Sequence, residues 1–189
     1  MRPSVAVVYR MVSALEAADN LEAEHLAHAR TWLVGTDDVF RRVKPASPPQ
    51  HLVSYVVPVD PASGDVLLVD HVNAGLWLPP GGHVDVDEHP ADTAAREIRE
   101  ELGVDSAPAA DPLFLTVTRT VGIDAGHTDV SLWFVHEMGS AQSLRPGQGE
   151  FREVRWWSRA ELSEADPARF DPHFFRFLAK LSPEPAFTG

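Results

Sequence analysis

The sequence predicts an α/β or α+β fold, in which helices pack against a β-sheet. The first observation behind this prediction is the order of elements in residues 46–189, where a strand pair precedes a helix, further strands and final helices. The second is a helical pattern over residues 90–102 with a narrow apolar face, which suits packing against a sheet. Two helical patterns precede both features. We therefore divide the chain into a helical extension, residues 1–45, and a main domain, residues 46–189.

The N-terminal extension is predicted to be a helical hairpin. The apolar residues of its first helix recur close to a 3.6-residue period at Val5, Val8, Val12 and Leu15. Asp19, followed three residues later by Glu22, is typical of the start of a second helix. The stripe that we expect to be buried in this second helix comprises Leu21, His25, Ala29, Trp32 and Leu33. We expect the hairpin to pack on the core and extend it; a homodimer contact and a cover over the active site are the alternatives.

The main domain is predicted to contain strands at 52–59, 66–72, 113–121, 130–138 and 154–157. The turn-rich residues 60–65 join the first two strands into a hairpin. Ser158 and Glu161 match a capping box and predict a short helix. A last helix is predicted after Asp171 and Pro172, with Phe174, Phe175, Leu178 and Leu181 facing inward.

The composition excludes several classes of function. Sixteen basic and 28 acidic residues give a net charge of −12, which argues against a nucleic-acid polymer as partner because backbone phosphates bind basic surfaces. The absence of cysteine excludes disulfides, thiolate nucleophiles and zinc–thiolate sites, and it favours a cytoplasmic location. Apolar runs fall short of the roughly 18 residues that span a membrane. The first residues also lack a signal-peptide pattern, so we expect no membrane association.

The most informative chemistry lies in three carboxylates of the central helix. Glu97, Glu100 and Glu101 are spaced three and four residues apart, which places them on one helical face. Like charges this close repel one another unless a cation lies between them. Because hard divalent cations take oxygen ligands, the pattern predicts a metal site. The alternative is a solvated acidic face without a ligand.

The residues around these carboxylates define the loop and the ends of the helix. Pro90 suits a first helical turn, where its missing N–H costs nothing, and Gly103 is a natural helix stop. Residues 78–84 are predicted to be a rigid loop between a strand and the helix. Gly81 and Gly82 in this loop let the backbone approach a ligand closely.

Together these residues resemble the Nudix box of the Nudix hydrolase superfamily. Gly82, Glu88 and the run 96–104 match all seven fixed letters and both aliphatic positions of that motif. The resemblance implies an α/β/α sandwich around a mixed sheet. It also implies a hydrolase that cleaves phosphoanhydride bonds with Mg²⁺ or Mn²⁺. A solvated acidic face would leave Gly82, Glu88, Arg96 and Gly103 unexplained.

The same resemblance assigns roles within the box. It implies that Glu97, Glu100 and Glu101 are metal ligands and that the carbonyl of Gly82 is an additional one. Glu88 and Gly103 are implied to support the structure of the box.

The resemblance also implies that an arginine and a general base take part in catalysis. Arg96 is expected to pair with a carboxylate, fixing the loop against the helix and orienting Glu97. We take Glu150, which precedes a strand with a tryptophan, as the candidate base. Glu153 is the second candidate, and Glu97 is an alternative because box glutamates exchange roles between family members.

Candidate substrate-binding residues lie in the loops around the box. His83 follows the glycine pair. It could either contact a substrate phosphate or brace the loop. Arg119 and His127 occupy the strand-and-turn region that frames the substrate in this fold. Three tryptophans are candidates for stacking on a base, although core packing is the more common role of strand aromatics; they are Trp77, Trp133 and Trp156.

The substrate class follows only by elimination. Residues 117–121 lack the proline of ADP-ribose hydrolases and the tyrosine of dinucleoside polyphosphate hydrolases. We therefore expect a small nucleotide-like diphosphate, either a nucleoside triphosphate or a nucleoside diphosphate linked to another moiety. One alternative is a Nudix-type module that senses a nucleotide without cleaving it, which usually has a damaged box. Isopentenyl diphosphate isomerase, a relative in fold, is excluded because it depends on a cysteine.

Overall fold

The computed structural model describes residues 1–44, 47–105, 111–120, 126–147 and 149–181. The α-helices are Pro3–Ala14 (α1), Asn20–Gly35 (α2), Pro90–Leu102 (α3), Arg159–Glu164 (α4) and Phe174–Leu181 (α5). The strands are Gln50–Val59 (β1), Val66–His71 (β2), Leu76–Leu78 (β3), Gly81–His83 (β4), Phe114–Arg119 (β5), Thr128–Glu137 (β6) and Phe151–Trp157 (β7). All of these strands belong to one sheet.

The sheet is mixed, as the sequence predicts. Its strand order is β3-β2-β1-β6-β5, with β4 paired to β1 and β7 paired to β2. Strands β1 and β6 run parallel over their whole length, and the other pairs are antiparallel. The predicted hairpin of the first two strands is confirmed by the pairing of Val59 with Val66. The long parallel pair brings the start of β1 beside the start of β6.

The glycine-containing loop before α3 is shorter than predicted, because part of it is strand β4. Gly81, Gly82 and His83 pair with Tyr55, Ser54 and Val53 of β1. An added Cβ on Gly81 would lie 2.3 Å from the backbone oxygen of Ser54, so only glycine allows this approach. The pairing therefore fixes the box glycines on the central strand.

Helices cover both faces of the sheet, which gives the α/β/α layers. Side chains alternate along β6: Leu132 and Phe134 join the apolar cluster of α1, α2 and α3, whereas Trp133 joins the cluster under α5. In α5 the buried residues are Phe174, Phe177 and Leu178. Phe177 was not predicted to face inward, and the predicted Phe175 and Leu181 are only half-buried.

The N-terminal hairpin packs on the same core as the sheet. Val5, Val8 and Val12 of α1 are fully buried, as predicted. The stripe predicted for α2 is confirmed at Ala29 and Leu33 and wrong at its start, since Leu21 is 39% exposed while its neighbour Glu22 is fully buried. The buried residues of α2 are Glu22, Leu26, Ala29 and Leu33. The carboxylate of Glu22 accepts hydrogen bonds from Lys180 Nζ at 2.7 Å and from the backbone N–H of Leu115, so its burial is compensated.

In the part of the chain that the structure describes, each helix is too short or too polar to cross a bilayer.

Candidate active site

A cavity of about 650 Å³ opens beside the carboxyl-terminal half of α3 and strand β4. Its acidic lining includes Glu97, Glu101 and Glu150. Its basic lining comprises Arg41, Arg42, Lys44, Arg96 and Arg119. A cavity of this size can hold a nucleotide-sized molecule. Acidic and basic side chains in one cavity suit a phosphorylated ligand that is held partly through a cation.

Arg96 lies at the centre of the hydrogen-bond network that holds the box together. Its Nε and Nη2 atoms each donate to Glu88 at 3.1 Å, one to each carboxylate oxygen. Its Nη1 donates to Glu97 Oε1 at 2.7 Å and to Glu100 Oε2 at 3.3 Å, and its Nη2 also donates to the carbonyl of His83 at 3.3 Å. One guanidinium thus connects the strand, the following loop and the helix.

Glu88 is committed to structural contacts. Besides Arg96, it accepts hydrogen bonds from the hydroxyl of Thr93 at 2.7 Å and from the backbone N–H of Asp85 at 3.1 Å. Partial burial opposes ionisation of Glu88, but the hydrogen bonds from Arg96 and Thr93 outweigh it and lower the pKa of Glu88 below its ordinary value. Glu88 is therefore ionised and fixed at neutral pH.

The carboxylate of Glu97 lies directly against the backbone of Gly82. A Cβ added to Gly82 would lie 2.3 Å from Glu97 Oε1, so a side chain at this position would displace the carboxylate. Burial raises the pKa of Glu97, although the neighbouring charge of Arg96 opposes that shift. Gly82 is thus required by the position of Glu97.

Glu101 is the most perturbed carboxyl group of the site. Its Oε2 accepts one hydrogen bond, from the backbone N–H of Gly81 at 3.2 Å. Burial, together with the neighbouring charges of Glu97 and Glu150, raises the pKa of Glu101 to about 9. Two buried carboxyl groups in mutual repulsion are a site where a divalent cation would be strongly favoured.

The expectation of one exposed acidic stripe was wrong. Glu97 and Glu101, one helical turn apart, are buried at the cavity wall, whereas the side chain of Glu100 is 55% exposed and lies outside the cavity lining. The difference arises because the strand β4 covers the side of α3 that carries Glu97 and Glu101. Glu100 is held at the edge of the site by Arg96.

The donor groups present fit a hard divalent cation. The side chains of Glu97 and Glu101 offer carboxylate oxygens, and the backbone of Gly82 adjoins them. Mg²⁺ and Mn²⁺ prefer such oxygen donors. Burial raises the pKa of both carboxyl groups, so a bound divalent cation would favour their ionised forms.

The other predicted site residues divide into two groups. The cavity lining includes Glu150, His83, Arg119 and His127. Gly103 instead ends α3 in the left-handed conformation, with φ of 66°, and contacts Arg145 rather than the cavity. Glu153, the second candidate base, is exposed on β7 and does not line the cavity.

The three tryptophans considered for base stacking lie away from the cavity. Trp77 and Trp133 are buried in the apolar cluster under α5, where Trp133 Nε1 donates to Thr116. Trp156 is half-buried against the other apolar cluster. The aromatic residues that do line the cavity are Tyr55 and Phe151, which the sequence did not single out.

Four further cavity-side residues were missed from the sequence. Arg41, Arg42 and Lys44 line the cavity, and their close spacing in the sequence was the available signal. Asp129 lies beside His127 and His83 on the cavity wall. Its spacing from His127, two residues at the start of a strand, places both side chains on one face of the sheet.

Comparison with known proteins agrees with this geometry. The model of the NUDIX domain family matches residues 49–181. A MutT-like protein of Streptomyces ambofaciens is 40% identical over 118 residues, which cover 62% of this chain and 71% of that protein. The phosphatase NudJ of Escherichia coli K12 is 28% identical over 110 residues, covering 57% of this chain and 69% of NudJ.

A solved structure with the same fold is the NUDIX domain of Shewanella oneidensis NrtR, complexed with ADP ribose. It has a TM-score of 0.57 and 23% identity, and the match covers 85% of this chain and 96% of that domain. The matched family model, the intact box and the fold agree with one another. The chain therefore belongs to the Nudix family and is an enzyme of the pyrophosphohydrolase type, acting on phosphoanhydride bonds.

Proposed function

We propose that this chain is a metal-dependent hydrolase of small nucleotides. The bond cleaved is the diphosphate linkage of a nucleoside triphosphate, or of a nucleoside diphosphate joined to another moiety. The observation that carries the proposal is the burial of Glu97 and Glu101 side by side at the cavity wall, against the backbone of Gly82. Two buried carboxylates side by side are costly, and a divalent cation would offset more of that cost than Arg96, which pairs with Glu97 alone of the two.

The cation-binding residues in this proposal are Glu97, Glu101 and the carbonyl of Gly82, with Glu100 reaching the site from its exposed edge. When bound, Mg²⁺ or Mn²⁺ supplies neutralisation of phosphate charge and activation of water for attack. Arg96 positions Glu97 and Glu100 through hydrogen bonds of 2.7 and 3.3 Å. Its own charge also remains close to the carboxylates, which limits their repulsion.

We assign the general base to Glu150. It lines the cavity, and its charge raises the pKa values of both Glu97 and Glu101, so it lies close to the metal-binding carboxylates. Unlike them, it is exposed to solvent and can exchange a proton with water. Glu97 is the alternative base, although its hydrogen bond from Arg96 favours the role of ligand.

The basic side of the cavity is proposed to bind the phosphate chain. Arg119 and Lys44 belong to the cavity lining, together with Arg41 and Arg42. Guanidinium groups pair with phosphate oxygens through two parallel hydrogen bonds, so this side orients the substrate. The nucleoside then extends towards Tyr55 and Phe151, which offer aromatic surface.

Substrate candidates come from the relatives as well as from the cavity. The similar structure from Shewanella oneidensis binds ADP ribose, which is a nucleoside diphosphate linked to another moiety. The other candidate class is the nucleoside triphosphates. It remains a candidate because this chain resembles a MutT-like protein and lacks the proline of ADP-ribose hydrolases. The two classes differ in what lies beyond the second phosphate, and a direct screen separates them.

The test is a phosphate-release screen with Mg²⁺ or Mn²⁺ over nucleoside triphosphates and nucleoside diphosphate conjugates. Wild type, Glu101→Gln and the surface control Glu164→Gln are assayed in parallel. We expect hydrolysis of at least one substrate class by wild type and the control, and a loss of at least 100-fold in Glu101→Gln. Binding of a nucleotide without cleavage under all conditions would instead favour a nucleotide-sensing module.

A further inference from the structure

Three imidazoles and one carboxylate meet on the cavity wall, beside the acidic site. The Nε2 atoms of His51 and His127 lie 3.2 and 3.3 Å from Asp129 Oδ1, and Nε2 of His83 lies 3.9 Å from the same oxygen. The four ligand atoms are all within 4.8 Å of one another. Such a set of three nitrogens and one oxygen is typical of a transition-metal site.

The sheet register produces this arrangement. His51 of β1 is directly opposite Asp129 of the parallel strand β6. Val53, two residues after His51, is opposite His83 of β4, so His51 and His83 point to the same face. His127 precedes Asp129 by two residues and shares its face. The pairing of β1, β4 and β6 therefore brings these four side chains close together.

The hydrogen bond of His51 fixes its tautomer. Its Nδ1 lies 2.8 Å from the carbonyl oxygen of Pro48, which can only accept, so Nδ1 carries the proton. In the neutral ring, Nε2 then presents a lone pair. This Nε2 is fully buried and has no hydrogen-bond partner among the described residues, and the same holds for Asp129 Oδ1. Two unpartnered acceptors 3.2 Å apart repel each other unless something electropositive lies between them.

His127 is oriented in a similar way. Thr120 Oγ1 donates to the carbonyl oxygen of His127 at 3.1 Å and accepts from its backbone N–H at 3.3 Å. It also lies 3.2 Å from His127 Nδ1, a contact that we assign with Nδ1 as the donor. The proton on Nδ1 again leaves Nε2 as an acceptor facing Asp129. Hydrogen bonds that hold the remote nitrogen of a histidine are typical of metal-binding imidazoles.

We propose that His51, His83, His127 and Asp129 form a second cation site, selective for Zn²⁺ and related divalent transition metals. In a tetrahedral zinc site with bonds of about 2.0–2.2 Å, neighbouring ligand atoms are roughly 3.3–3.6 Å apart. The separations of 3.2 and 3.3 Å lie close to that range, and that of 3.9 Å requires only a small ring rotation of His83. The neighbouring acidic site, with its oxygen donors, would prefer Mg²⁺ or Mn²⁺.

The competing account is a metal-free cluster in which one histidine is protonated and pairs with Asp129. That account requires one of His51, His83 and His127 to donate a hydrogen bond from Nε2 to Asp129 Oδ1. The structure disfavours this metal-free account, because neither His51 Nε2 nor Asp129 Oδ1 makes a hydrogen bond among the described residues. In the metal-site account, His83 and His127 serve as ligands rather than as direct contacts to the substrate.

The test is titration of the metal-free full-length chain with Co²⁺, followed by displacement with Zn²⁺. Tetrahedral Co²⁺ absorbs visible light much more strongly than six-coordinate Co²⁺, so the spectrum reports the nitrogen-rich site without any activity assay. We compare wild type with His83→Gln and Asp129→Asn; circular dichroism checks their folding. His83 is the most exposed of the three imidazoles, so His83→Gln is the variant expected to fold normally. The controls are Glu100→Gln in the acidic site and His28→Gln on the exposed side of α2.

We expect wild type to bind one equivalent of Co²⁺ with the tetrahedral spectrum and to lose it on addition of Zn²⁺. In His83→Gln the apparent affinity should fall at least tenfold, while both controls should match wild type. A wild-type protein without the tetrahedral spectrum would overturn the proposal. So would equal binding by His83→Gln and wild type, or loss of the spectrum in Glu100→Gln alone, which would place the ion in the acidic site.

Discussion

Arg96 and Glu88 are joined by two hydrogen bonds of 3.1 Å, one to each carboxylate oxygen. The same guanidinium reaches Glu97 at 2.7 Å. The pairing therefore determines where the carboxylate of Glu97 lies relative to the strand that carries Gly82. In the proposed site, which would hold a cation and a phosphate chain together, such positioning should affect catalysis as well as stability.

Arg96→Lys tests this relationship. A lysine keeps the charge but cannot make the paired hydrogen bonds, so Glu88 and Glu97 lose their fixed orientation. We expect activity to fall about 10- to 100-fold, as for other changes to groups that orient metal ligands. We expect a loss of about 1–3 kcal/mol in the free energy of unfolding, because a partly buried charged hydrogen bond is removed.

Arg99→Lys, on the exposed face of the same helix, is the matched control for Arg96→Lys. It should change neither the turnover number nor the urea midpoint. Equal effects of the two substitutions would contradict the positioning role of Arg96.

Gly82→Ala tests the contact between the strand and the acidic helix. The new methyl group would lie 2.3 Å from Glu97 Oε1 and must displace that side chain. We expect weaker binding of Mn²⁺ and at least tenfold lower activity, with the melting temperature little changed because the side chain can move away from the methyl group. Gly139→Ala is the control, since a Cβ there meets no atom within 4 Å. Unaltered Mn²⁺ affinity in Gly82→Ala would show that Glu97 is not a ligand.

Glu101→Gln and Glu100→Gln compare a buried and an exposed carboxylate of the box. Without metal, Glu101→Gln should melt no lower than wild type, because a pKa of about 9 leaves Glu101 uncharged at neutral pH and glutamine has nearly the same shape. With metal, wild type should gain thermal stability and Glu101→Gln should gain much less. Differential scanning calorimetry with and without Mg²⁺ measures both effects. A smaller gain in Glu100→Gln than in Glu101→Gln would reverse our ranking of the two ligands.

Asp19 links the N-terminal hairpin to α5. It caps α2 and accepts hydrogen bonds from Arg176 at 2.6 and 2.8 Å. The hydrogen bond from Arg176 is the main reason that the pKa of Asp19 is lowered to about 2. Asp19→Ala should destabilise the protein by about 1 kcal/mol, the usual value for loss of a helix cap.

The pH dependence of this stabilisation follows from the direction of the shift. Because the folded pKa of Asp19 lies below its ordinary value of 3.8, the contribution is complete above that value and is lost as the pH falls towards 2. Wild type and Asp19→Ala should therefore differ in urea midpoint at pH 7 and converge near pH 2. A constant difference across this range would mean that Asp19 acts through shape rather than charge.

The acidic helix α3 could be predicted from the sequence because the residues that specify it are close together in the chain. Pro90, the glutamate spacing and Gly103 specify the bounds of α3 within one short segment. The burial of Glu22 was not predictable, since its partner Lys180 lies 158 residues away and a carboxylate normally marks an exposed position.

The histidine cluster was missed for a similar reason. His51 meets Asp129 only through the parallel pairing of β1 and β6, and no local pattern specifies which strands pair. His83 and His127 were recognised as cavity residues because each lies near a loop of the box region. Asp129, which both histidines face, could be identified as their shared partner only from the pairing of the strands.

The most direct test of the central claim is a crystal structure of the chain soaked in Mn²⁺, with the ion located by its anomalous scattering. We predict an anomalous peak in contact with the carboxylates of Glu97 and Glu101 and beside the carbonyl of Gly82. A well-ordered site with no peak there, and with both carboxyl groups protonated or turned to solvent, would contradict the account.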